Sequence, residues 1–99
     1  MTLTNISGYQ FEQGYPLATT TFKNVAAVYI IYTNQLWLDV GETDQLGTRI
    51  SEHERRACWQ RNAGSVPIYV AVHQESNQQT RLAIESDLRS QLNPTCGNR

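Results

Sequence analysis

With 99 residues, 39% of them hydrophobic and 17% charged, the chain has material for one domain and one core, residues 1–99, and no room for a second module. A net charge of −1, carried by one lysine (Lys23) and seven arginines against nine acids, excludes a general cationic coat for nucleic acid and leaves directed arginine contacts. No apolar run approaches the roughly 20 residues needed to cross a bilayer. The opening MTLTNISGYQ has no basic region followed by an apolar stretch, so no signal peptide is expected. Cys58 and Cys96 make no metal-ligand pattern. The expectation is two reduced thiols in the cytoplasm, with no membrane contact.

Residues 1–24 carry Gly8, Gly14 and Pro16 as punctuation and scattered aromatics. They read as an N-terminal cover, with an irregular edge strand possible at 18–22. Residues 25–32, VAAVYIIY, are β-branched and aromatic on both faces, which predicts a central strand covered on both sides. Asn34-Gln35 mark a turn, and 36–42 form the partner strand. Whether Tyr29 and Asp39 share a face depends on register: an odd loop puts them together, a two-residue loop puts them apart. Gly41 ends the strand, and Thr43 or Asp44 caps a helix running to about Arg61. Leu46, Ile50 and Ala57 form its apolar stripe, Arg49, His53 and Arg56 border that stripe, and Arg55 and Arg61 face water. Gly47 weakens this helix by about 1 kcal/mol relative to alanine. Residues 66–72 predict a third strand, Ser76 and Gln79 fit a capping box, and a second helix spans 78–92 with Glu85, Leu88 and Leu92 on one face.

These residues carry a resemblance. Ala27-Val28-Tyr29 resembles the first signature of the GIY-YIG nuclease family, and Asp39-Val40-Gly41 resembles the second, ten residues later. Arg49 stands at the spacing of the family's arginine, His53 follows one turn on, and Glu85 resembles its metal-binding glutamate. The likeness covers 25–97. It implies an α+β fold, a small three-stranded antiparallel sheet flanked by helices, with residues 1–24 as a cover. It favours Tyr29 and Asp39 on one face.

The resemblance also implies metal-dependent hydrolysis of DNA phosphodiester bonds. Such chemistry needs an activated water, positive charge at the developing oxyanion and a stabilised leaving oxygen. Glu85 would hold Mg²⁺ (or Mn²⁺), Arg49 would clamp phosphate, Tyr29 would orient or activate water, and His53 would bond phosphate or accept a proton. DNA is the implied partner, and so small a domain would take specificity from DNA structure, a homodimer or a protein partner.

Each residue also has a plain structural role open to it. Tyr29 can be a strand tyrosine, Arg49 can pair with Asp39 or another acid, His53 can pack at the stripe's edge, and Glu85 can pair with Arg81. Asp39 replaces the family's second tyrosine. Either it takes over as base or second ligand, or it pairs with an arginine and leaves a catalytically impaired module that binds nucleic acid or protein. Ala27 replaces the first glycine, and Gly97, with Asn98 beside it, stands where the family often keeps an asparagine. Trp59 is expected in the core.

Overall fold

The computed structural model describes residues 2–97; Asn98 lies outside them. The elements in chain order are β1 (Thr2–Ile6), β2 (Tyr9–Pro16), β3 (Ala27–Tyr32), β4 (Trp37–Thr43), α1 (Leu46–Ser51), α2 (Arg56–Ala63), β5 (Tyr69–Gln74) and α3 (Gln78–Leu92). The class is α+β. The sheet has five strands in the order β1-β2-β5-β3-β4, every pairing antiparallel, where three were expected.

The two additional strands come from the supposed N-terminal cover. Ser7 and Gly8 both have positive φ, 53° and 92°, which is the backbone of a tight two-residue hairpin turn. The side chain of Asn5 secures it by accepting the Gly8 N–H at 3.0 Å. Residues 18–22, considered for an edge strand, contain no strand. The hairpin was hard to read because few of its side chains reach the core, chiefly Ile6 and Phe11.

β3 is the axis of the molecule. It pairs with β5 on one side and β4 on the other. Its alternation splits the core in two. Ala27, Tyr29 and Ile31 pack with Leu46, Ile50 and Trp59 from α1 and α2. Val28 and Ile30 pack with Ile84 and Leu88 of α3 on the opposite face. Trp59 is fully buried. The β3–β4 register sets Tyr29 opposite Gly41 and Ile31 opposite Asp39, so Tyr29 and Asp39 share the α1–α2 face. A shift between Ile31 and Tyr32 supplies the odd residue that a four-residue loop, 33–36, would otherwise lack.

The predicted long helix is two short ones. α1 ends at Ser51 and α2 begins at Arg56. In the break, His53 Nδ1 accepts the Arg55 N–H at 3.0 Å and Arg56 Nη1 donates to the Ile50 carbonyl at 2.7 Å. Side chains thus take groups that an unbroken helix would pair internally, and His53 swings beneath the sheet. Ala57, placed on the apolar stripe by the spacing, is consequently exposed. α3 falls at 78–92 as the spacing predicts, but its cap is Asn77, whose side chain accepts the Thr80 N–H, not Ser76. Arg81 does not pair with Glu85. It is buried, bonded to Glu42 at 3.0 Å and to the carbonyls of Glu75 and Ser76.

After α3 the chain runs along the outer edge of β4. Thr95 N–H donates to the Trp37 carbonyl at 3.0 Å and Cys96 N–H to that of Leu38 at 2.7 Å. Cys96 is joined to Cys58 of α2 by a disulfide. This overturns the expectation of two reduced thiols, for 38 residues of chain fold back to bring the sulfurs together, which spacing alone does not reveal. Such a bridge persists in oxidising surroundings, which stands against the reduced-thiol argument for a cytoplasmic location. Among the described residues no helix is long and apolar enough to cross a membrane.

Candidate functional site

β3, β4 and the α1–α2 break bring Tyr29, Asp39, His53 and Arg49 to one region of the sheet. Glu85 comes from α3 on the opposite face, where Arg89, which also bonds Asp39, lies beside it.

Asp39 is fully buried, and both its oxygens are occupied. Oδ1 accepts from Arg89 Nη2 at 2.7 Å, from Arg55 Nη2 at 3.3 Å and from the Val40 N–H at 2.9 Å. Oδ2 accepts from Arg55 Nε at 2.7 Å and from the Trp59 indole N–H at 2.8 Å. A buried carboxylate is tolerated only when paired and hydrogen-bonded, and here both conditions are met. Arg55, expected to face water, turns inward because this acid lies below it. Arg89 also donates to the carbonyls of Val40 and Gly97. Gly97 closes the knot: φ is +74°, and a Cβ there would sit 2.6 Å from Arg89 Nη2 and 2.7 Å from Asp39 Oδ1.

Tyr29 is also fully buried, and its ring lies over Gly41 so closely that a Cβ at position 41 would collide with the phenol. The phenol oxygen and His53 Nε2 are 2.8 Å apart. Because His53 Nδ1 accepts the Arg55 N–H, the neutral ring carries its hydrogen on Nε2 and donates it to Tyr29. Burial, with the positive charges of Arg49 and Arg55, pushes His53 down to about 4. Burial pushes Tyr29 up to about 12, against the opposing pull of Arg49. At neutral pH, therefore, His53 is uncharged with its lone pair committed, and Tyr29 keeps its proton. Neither is poised to take a proton from water.

Arg49 lies at the rim. Its guanidinium forks onto the Glu54 carboxylate, Nη1 to Oε1 at 2.6 Å and Nη2 to Oε2 at 3.1 Å. This bond to Glu54 holds Arg49 above its ordinary range and draws Glu54 down to about 2. The acid that Arg49 meets is Glu54, not Asp39.

Glu85 packs beside Arg89, 3.6 Å from its Nε, one turn along α3. Among the described residues no group of three or more His, Cys, Asp or Glu side chains is arranged to hold a metal ion. Both Asp39 oxygens are engaged by hydrogen bonds, and the Arg89 guanidinium stands beside Glu85.

Sequence reasoning missed Arg55, Arg89 and Glu54. Arg89 had a faint signal, since it follows Glu85 by four residues on a helix. The Glu54-Arg55-Arg56 run had a strong charge signal but no direction, because the helix break decides where each side chain points. No family model matches the chain, and neither does any curated protein or solved structure.

Proposed function

We propose that the chain is a catalytically impaired GIY-YIG-like module that binds DNA without cutting it. On this reading β5, β3 and β4 with their helices form the family-like part, and the β1–β2 hairpin is an addition to its sheet. The observation that carries the reading is the state of Asp39. The family's second tyrosine is replaced by a carboxylate whose oxygens are filled by Arg55, Arg89 and Trp59. That carboxylate has no oxygen free to meet an attacking water or a cation without giving up one of these bonds.

The contact left for nucleic acid is Arg49. Its fork already holds two anionic oxygens, and the Glu54 side chain that supplies them is 59% exposed and can be displaced. A phosphate presents the same pair of acceptors to a guanidinium. Glu54 then acts as an internal competitor, which keeps binding weak unless a homodimer or protein partner adds contacts.

The test combines cleavage and binding. Plasmid, single-stranded, flapped and branched DNAs are offered to the protein with Mg²⁺ or Mn²⁺, and binding is titrated against salt. The expected result is no turnover, with binding that weakens as salt rises and a log–log slope reduced by about one in Arg49→Ala. Metal-dependent cleavage abolished by Arg49→Ala and by Glu85→Ala would instead establish the endonuclease, with Tyr29, Arg49, His53 and Glu85 as its site. Absence of binding to every DNA would remove nucleic acid as the partner.

A further inference from the structure

Beside α1 lies a region to which Arg49 contributes no lining. The segment between β2 and β3 folds against α1 and the start of α2 and leaves a cleft of about 450 Å³. Its walls are firm. Asn24 accepts the Thr48 N–H at 2.8 Å and donates to the Thr48 hydroxyl at 3.1 Å, which ties the segment to α1. The Phe22 carbonyl lies so close over Gly47 that a Cβ there would strike it, so the residue that weakens the helix also lets the loop seat.

The chemistry of the lining is one-sided. Thr20, Thr21 and Thr48 bring hydroxyls, Ser51 gives its hydroxyl hydrogen to the Thr48 carbonyl at 3.2 Å, Arg56 brings a guanidinium, and among the described residues no Asp or Glu lines the cleft. Because the Thr48 hydroxyl accepts from Asn24, its own hydrogen can point to a ligand. Arg56, like the exposed Arg61, differs from four other arginines of the fold. Arg49, Arg55, Arg81 and Arg89 each lie within ion-pair distance of a carboxylate. Arg56 is half-buried with no carboxylate at that distance among the described residues; one arm bonds the Ile50 carbonyl, and the group lies 6.0 Å over Trp59. A partly buried cation among hydroxyl donors is matched by an oxyanion with several acceptor oxygens. The cleft is larger than an inorganic anion needs and falls in the size range of small-molecule sites. Leu17, Phe22 and Ile50 give it an apolar side.

We propose that this cleft binds a phosphate-bearing small molecule with a flat apolar body, a nucleotide unit, with the phosphate on Arg56 and the hydroxyls and the base against Phe22. The nucleotide is either free or the 5′-phosphorylated end of a strand. The site does not depend on Arg49 or on the fate of Asp39, so it stands or falls separately from DNA binding at the rim.

The test is calorimetric titration of the intact protein with AMP, adenosine and inorganic phosphate, with amide NMR shifts followed at Thr21, Thr48 and Ser51. AMP is expected to bind saturably, and adenosine at least about tenfold more weakly, as loss of a charge-assisted contact implies. Arg56→Gln is expected to weaken AMP by a similar factor. Thr21→Val, which leaves the Arg56–Ile50 bond intact, is expected to weaken it less, and supplies the test if Arg56→Gln fails to fold. Comparing 5′-phosphorylated with unphosphorylated oligonucleotides assigns the source: a phosphate-dependent gain over AMP identifies strand ends, and no gain identifies free nucleotides. No saturable AMP binding, equal affinity for adenosine, or affinity unchanged in both variants would overturn the proposal.

Discussion

Asp39 and Glu54 each hold two arginines and share Arg55, in opposite media. Asp39 has no exposed surface, and two guanidinium groups, an indole N–H and a backbone N–H converge on it. Glu54 holds Arg49 with bonds just as short, yet its side chain is 59% exposed and Arg49's is 33% exposed. Buried and satisfied, the first is strongly felt when one partner is removed, because the remaining charges cannot regain water. Screened and solvated, the second contributes little to stability and can exchange partners. Similar contact distances thus describe a structural fixture in one place and a solvated surface pair in the other.

The largest effect that would break this contrast is at Asp39. Asp39→Ala leaves Arg55, Arg89 and Trp59 without their acceptor and is expected to cost about 3–5 kcal/mol in urea melts, much of the 5–15 kcal/mol typical of a small domain. A cost below about 1 kcal/mol would mean that Asp39 behaves like a surface acid. Asp39→Tyr is expected to destabilise as well, not to restore cleavage, because Gly97, Arg55 and Arg89 fill the space beside it.

The disulfide comes next. It holds the tail whose Gly97 carbonyl and small residue complete the buried knot. Reduction by a dithiol, or Cys58→Ser with Cys96→Ser, is expected to lower stability by about 2–4 kcal/mol. Faster proteolysis of the tail than of the hairpin would locate the opening at the knot.

His53 gives a pH signature. Its folded value of about 4 lies below the ordinary 6.5, so between them only the unfolded chain takes up a proton. Stability is complete above pH 6.5 and falls as pH drops toward about 4, by roughly 3 kcal/mol at most. Glu54, ordinarily near 4.5 and held at about 2, adds its smaller loss in the lower window between those values. Melts across pH 7 to about 2 separate the two, and a flat profile above pH 4.5 would mean that His53 is not buried in its neutral form.

The smallest effect sharpens the comparison from the exposed side. Arg49→Ala and Glu54→Gln are each expected to change stability by less than about 1 kcal/mol. Glu54→Gln is expected to tighten DNA, since it removes the internal competitor, while Arg49→Ala weakens it; filter binding at fixed salt reads both.

How much was legible follows from how local each cause is. β3 announced itself as doubly covered because both of its faces are apolar, and α3 was bounded by its spacing and by Asn93-Pro94. The shared face of Tyr29 and Asp39 was left to loop parity, which a bulge then supplied. The β1–β2 hairpin was signalled only by Ser7-Gly8, a weak cue when few neighbouring side chains are apolar.

The sequence by itself therefore determined the two-faced central strand and the last helix, because local composition and period act within a few residues. Tertiary structure alone decided which acid each arginine meets, where the middle helix breaks and that Cys58 reaches Cys96. The Asp39 pairings and the disulfide depend on charges and thiols brought together across 16 to 50 residues of chain, as Asp39 meets Arg55 and Arg89. At that range the packing of the core chooses the partner, and the spacing of residues carries no record of the choice.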